Sequence, residues 1–113
     1  MDNNTITLEK NEVLRKLRDN LKGFLGKNLV RLLLYGSKAR GDYGNNESDI
    51  DIAIIIRGLT RELKNQILDL VADIEIEYLT PLSTIVFSEE DFELLKKRER
   101  RIALDIEKEG IPL

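Results

Sequence analysis

Two short stretches of this 113-residue chain carry residue types suited to chemistry: Gly36-Ser37, and the carboxylates Asp49 and Asp51. On a strand, residues two apart project from one face, so Asp49 and Asp51 would stand only several ångströms apart. Like charges so placed repel, and one of them tends to hold a proton unless a cation neutralises the pair. They sit at the entrance of a run that is otherwise Ile and Ala, Ile50 to Ile56. A divalent metal explains such a pair. Taken alone, Asp-x-Asp is read as readily as two solvated residues at a strand edge. Gly36-Ser37 directly follows the apolar run that ends at Tyr35. A turn there lets backbone amides approach a phosphate closely, with the Ser37 hydroxyl as a further donor and Lys38 and Arg40 adding positive charge. An ordinary strand-ending turn is the plainer reading of Gly-Ser by itself. The two elements are stronger together: if the strands are adjacent and antiparallel, Gly36-Ser37 faces Asp49/Asp51 across a few ångströms, a phosphate cradle beside a metal site.

Composition narrows the chemistry. The chain has neither Cys nor His, which removes thiolate nucleophiles, zinc-thiolate sites, the commonest general base and the commonest zinc ligand. Catalysis must run on carboxylates, hydroxyls, Lys, Arg, Tyr or a bound metal. Oxygen ligands alone point to a hard cation such as magnesium. The formal net charge of −3 offers nucleic acid no general attraction. A 42% hydrophobic and 35% charged composition suits one globular domain over residues 1–113 with a well-solvated surface. Apolar stretches such as Ile52 to Ile56 are far too short to cross a bilayer, and the N-terminus lacks the regions of a secretory signal, so the chain reads as cytoplasmic.

The elements that must position these residues are legible as patterns. Leu8 to Leu25 carries Leu14, Leu17, Leu21, Phe24 and Leu25 at helical spacing, with Thr7 as N-cap and Gly26 as stop. Leu29 to Tyr35 and Ile50 to Ile56 are short apolar runs that suit buried strands. Between them, Gly36 to Asp49 has the composition of a functional loop, with one helical turn near Ser37 to Arg40. Thr60 caps a second amphipathic helix to Tyr78, built on Leu63, Ile67, Leu70, Val71, Ile74 and Tyr78. After Pro81, Leu82 to Phe87 reads as a third strand. Ser88 with Asp91 resembles a capping box opening a third helix that carries Phe92, Leu95, Ile102 and Ile106, stopped by Gly110 and Pro112. Strands alternating with helices favour an α/β (α+β) domain, a sheet with helices packed on it.

The motif Gly36-Ser37-x-Ala39-Arg40-Gly41, followed by Ser48-Asp49-Ile50-Asp51-Ile52, resembles the minimal nucleotidyltransferase family of the DNA-polymerase-beta-like superfamily. The resemblance implies a mixed sheet of three or more strands covered by helices. It implies that Gly36, Ser37 and Arg40 hold the phosphates of ATP, and that Asp49 and Asp51 are the catalytic carboxylates and magnesium ligands, with room for a second metal. A hydroxyl then attacks the α-phosphate and pyrophosphate leaves. Short members of this family are often encoded beside a small helical HEPN-domain toxin, and some neutralise it by adding AMP to a Tyr. The resemblance thus implies an antitoxin that transfers AMP to a partner protein, with a catalytically weak module acting by complex formation as the alternative.

One departure motivates that alternative. Active members carry a third carboxylate on a later strand, whereas Leu82-Ser83-Thr84-Ile85-Val86-Phe87 has no acid; Ser83 or Thr84 stands in its place. Glu75 and Glu77 read as solvent-facing residues of the second helix. The cluster Lys96-Lys97-Arg98-Glu99-Arg100-Arg101 reads as a solvated, salt-bridged helix face rather than a nucleic-acid contact. Tyr35 reads as core and Tyr43 as a residue able to stack on a base. So short a chain implies that the acceptor is held partly by another protein or by a second copy of this one.

Overall fold

Ile50-Asp51-Ile52-Ala53-Ile54-Ile55-Ile56 is apolar at both of its alternating positions, as a strand needs when both of its faces are covered. It forms the centre of the sheet. The structure, a computed structural model, describes residues 8–36 and 50–113. Its elements are α1 (Leu8–Leu25), a single 3₁₀ turn (Gly26–Asn28), β1 (Leu29–Tyr35), β2 (Ile50–Ile56), α2 (Arg61–Tyr78), β3 (Leu82–Ser88), α3 (Glu89–Lys97), α4 (Arg101–Glu109) and β4 (Ile111–Pro112). The four strands lie in the order β3-β2-β1-β4. β1 runs antiparallel to β2 and β4, and β2 runs parallel to β3 through the α2 crossover that a parallel pair requires. The expected mixed sheet of three or more strands covered by helices is therefore present, with four strands among the described residues.

The sheet separates two cores. Ile50, Ile52, Ile54 and Ile56 point to one face, where Leu32, Leu34, Leu82 and Val86 join them under Leu17 and Leu21 of α1 and Ile67, Val71 and Ile74 of α2. Ala53 and Ile55 point to the other face, with Leu33 and Phe87, and are covered by Phe92 of α3 and Ala103 and Ile106 of α4. Phe92 is fully buried and meets Phe87 ring to ring at 5.4 Å. Burial of such a side chain contributes about 1.5–3 kcal/mol. Phe24, assigned by spacing to the core face of α1, is instead 45% exposed, and Val13 takes a buried place.

Local signals set most of the boundaries. The Thr60 hydroxyl accepts from the Leu63 N–H and the Ser88 hydroxyl from the Asp91 N–H, each at 3.0 Å, which fixes the first turns of α2 and α3. Gly26, at φ +57, ends α1. The Thr7 cap and the helical turn near Ser37 to Arg40 lie outside the described residues.

The single helix expected after Ser88 is two helices. Glu99 takes φ 54 between them; its N–H donates to the Lys96 carbonyl, and the Arg100 N–H donates to the Leu95 carbonyl. This is the bond pattern of a Schellman stop, with Glu in the position glycine usually fills. α2 ends the same way on Leu79 at φ 50, where the Thr80 N–H reaches back to the Glu75 carbonyl. Each left-handed non-glycine residue costs about 1–2 kcal/mol, offset by the carbonyls it satisfies and by the chain direction it sets. β4 was not expected. Gly110, read as a helix stop, also leads into the short edge strand that pairs Ile111 with Leu34 and Pro112 with Leu33.

Candidate active site

At one end of the sheet three chain segments converge: the end of β1, the start of β2 and the start of β3. Tyr35 pairs with Asp51 across the antiparallel ladder, and Asp51 pairs with Ser83 across the parallel one. Directly paired residues share a face. Tyr35, Asp51 and Ser83 therefore form a row on the face that carries Leu33, Ala53, Ile55 and Phe87. Below the row, α3 and α4 cover that face; at the row itself Ser83 is exposed and Tyr35 and Asp51 are half-buried.

Asp51 is the one polar residue in a strand whose other six side chains are buried. Its carboxylate abuts the backbone of Gly36. That residue has φ +77, and a Cβ placed on it would fall on Asp51 Oδ2, 3.2 Å from Cγ and 3.4 Å from the Asp51 Cβ. Glycine is required here twice over, for the backbone angle and for the space. The expected antiparallel pairing thus holds, and it brings Gly36 against Asp51. Ser37, Arg40 and Asp49 lie outside the described residues, as do Lys38 and Tyr43.

Tyr35, read as core, does pack against the core on this face, and it is also tied to the site. Its hydroxyl is held above the ordinary value of 10.0, first by burial and then by the Asp51 charge. It therefore stays protonated through the neutral range. The signal that would have revealed this is register: a residue one position before Gly36 must pair near Asp51 once the strands are antiparallel.

β3 carries no carboxylate, as its sequence implies. Ser83 is the residue beside Asp51, whereas Thr84 belongs to the opposite face and donates its hydroxyl to the Leu82 carbonyl at 3.2 Å. No group of three or more potential metal ligands occurs among the described residues. Glu77 is exposed as expected. Glu75 is half-buried, and its carboxylate accepts the Leu82 N–H at 2.7 Å, so it pins the start of β3 rather than simply facing solvent. The basic cluster spans the end of α3, the turn and the start of α4 instead of lying mid-helix. Among the described residues only Lys96 of this cluster is ion-paired, to Glu93 at 3.1 Å and Glu107 at 3.6 Å.

Tyr35, Asp51 and Ser83 present oxygen donors only, the ligand type a hard cation such as magnesium takes, and the space a side chain at position 36 would need is filled by the Asp51 carboxylate. No described helix is long and apolar enough to cross a membrane.

The family model "Polymerase beta, Nucleotidyltransferase" matches residues 15–113. The chain is 30% identical over 77 residues to the "Putative protein adenylyltransferase MJ0141" of Methanocaldococcus jannaschii, covering 67% of this chain and 77% of that protein. Among solved structures, the crystal structure of "a putative nucleotidyltransferase from Sulfolobus solfataricus" aligns with a TM-score of 0.49 at 20% identity, over 95% of this chain and 86% of that one.

Proposed function

The chain belongs to the polymerase beta nucleotidyltransferase family, and on that premise we propose that it transfers a nucleoside monophosphate, AMP from ATP, to a hydroxyl group on a partner protein. The observation that carries this reading is the contact of the Asp51 carboxylate with the side-chain-free turn at Gly36. The name of the M. jannaschii relative, a protein adenylyltransferase, supports the choice of AMP and of a protein acceptor.

Asp51 and Asp49 would hold magnesium, which when bound would neutralise triphosphate charge and ease departure of pyrophosphate. Gly36 lets the backbone approach the β- and γ-phosphates, Ser37 donates its hydroxyl to them and Arg40 adds charge. β2, hydrogen-bonded on both sides, fixes Asp51 relative to that turn. The acceptor oxygen bonds to the α-phosphorus as its proton passes to solvent, the bond from that phosphorus to the bridging oxygen breaks, and pyrophosphate departs with the electron pair. The acceptor we propose is a small helical HEPN-domain protein encoded beside this chain, with this chain as its antitoxin.

Ser83 beside Asp51, where an acid would complete a two-metal site, favours a second reading: a nucleotide-binding module that neutralises its partner by complex formation. Incubation with labelled ATP, magnesium and the neighbouring gene's product separates the two. Transfer predicts label on the partner, lost by two orders of magnitude or more (about 2.7 kcal/mol or more of transition-state stabilisation) in an Asp49→Ala/Asp51→Ala variant. An unlabelled partner, neutralised equally well by that variant, selects the binding module.

A further inference from the structure

The two cores and the candidate site leave one set of side chains on α2 without a use. α2 buries Ile67, Val71 and Ile74 against the sheet. On its outer side it carries a second apolar stripe: Leu68, Ala72 and Ile76 at four-residue intervals, continued by Leu79 just beyond the helix. Ile76 is 71% exposed and Leu79 88%. The outward side of a surface helix is ordinarily polar. Leu79 moreover occupies the left-handed position at the helix end, which glycine would fill at lower energy. The chain keeps a large apolar side chain there, in water, at a cost to its own stability.

Beside the stripe runs a row of exposed carboxylates, Asp69, Asp73 and Glu77, again at four-residue intervals. None is ion-paired among the described residues. The Leu79 end of the stripe lies near the start of β3, on the side of the sheet opposite the face from which Asp51 projects. Leu79 precedes Ser83 by four residues, a path that spans at most about 14 Å, and Ser83 pairs with Asp51.

We propose that Leu68, Ala72, Ile76 and Leu79, with their acidic row, are the docking surface for the acceptor protein, engaged by an amphipathic helix whose apolar ridge is flanked by Lys or Arg. This rests on the reading of the chain as a transferase with a protein acceptor. The charge pattern selects the occupant. Two copies packing α2 antiparallel on α2 would bring their acidic rows together, which like charges oppose. The chain's own basic surface at Arg98, Arg100 and Arg101 belongs to the α3–α4 side of the sheet. Matching it to α2 of another copy gives a head-to-tail contact rather than a closed two-fold pair. A basic helix of a different protein meets neither obstacle.

The test uses the purified product of the neighbouring gene as probe, with binding followed by calorimetry and AMP transfer measured separately. Ile76→Asp/Leu79→Asp alters only exposed positions, so its circular dichroism and Tm should match the parent, while its affinity for the probe falls roughly 100-fold. Leu79→Gly should raise Tm and still weaken binding, a combination that a purely structural role for Leu79 does not give. Asp69→Lys/Asp73→Lys/Glu77→Lys should weaken binding and flatten its salt dependence. Unchanged affinity in the Ile76/Leu79 double variant, or no complex between parent and probe, overturns the docking surface. So does self-association of the parent that the double variant abolishes, since the occupant is then a second copy. Binding without transfer leaves the surface standing and refutes the transferase reading; undiminished transfer by the double variant does the reverse.

Discussion

Replacing Gly36 by alanine tests the contact that organises the site. The backbone there has φ +77, a region an L-residue enters at a cost of about 1–2 kcal/mol. The added methyl also overlaps Asp51 Oδ2 and presses on Cγ at 3.2 Å. The carboxylate can swing aside, but its Cα is fixed in a strand bonded to neighbours on both sides. Overpacking of this kind adds about 1–3 kcal/mol, so the whole change is about 2–5 kcal/mol. For a domain of this size that lowers Tm by roughly 8–20 °C. Urea unfolding followed by circular dichroism suits a protein with no Trp. The diagnostic comparison is the same substitution in an Asp51→Ala background. With Cγ and Oδ2 gone only the backbone cost remains, so Gly36→Ala should be about 1–3 kcal/mol milder there. Equal costs in the two backgrounds, within about 0.5 kcal/mol, would refute the claim that Gly36 is glycine because Asp51 needs its space.

Three further outcomes follow from the same geometry. In Asp51→Asn, an ultraviolet titration should show the Tyr35 hydroxyl moving down yet remaining above 10.0, because burial, the larger cause, persists. Since the fold favours its neutral form, Tyr35 should leave stability unchanged below that value and subtract from it as pH climbs past. Glu107 is held below its ordinary 4.5, first by the hydrogen bond from Arg31 at 2.7 Å, so its contribution should be full above pH 4.5 and fade as pH falls below it. Glu107→Gln should abolish that acid-side loss, which the exposure of both partners limits to about 1 kcal/mol or less. Ser83→Asp sets a second carboxylate beside Asp51. It should lower Tm without magnesium, through like-charge repulsion, and restore it when magnesium is added; a Tm indifferent to the ion would count against a metal at this row.

Why β1 and β2 could be read from the chain is plain from Leu32 to Leu34 and Ile52 to Ile56: a strand covered on both faces is apolar at every position, and the run ends where cover ends. The contact of Gly36 with Asp51 followed from antiparallel pairing alone. The break between α3 and α4 was hidden because Phe92, Leu95, Ile102 and Ile106 keep helical spacing across it, and because the stop is made by Glu99 rather than glycine. β4 escaped because two residues show no periodicity; its pairing is a property of the neighbouring β1 edge. The tie of Tyr35 to the site escaped, although its core packing did not, because it lies in a cross-strand partner sixteen positions on, which no local pattern records.

The central place of β2 has a consequence for motion. Amides of Ile52 to Ile55 are enclosed by a partner strand on either side and a core on each face, so their exchange with solvent deuterium should require opening of the whole domain. Asp51 is mounted on this slowest-opening segment. Whatever rearrangement accompanies a turnover cycle must therefore occur in the groups that approach Asp51, against a carboxylate whose backbone stays still.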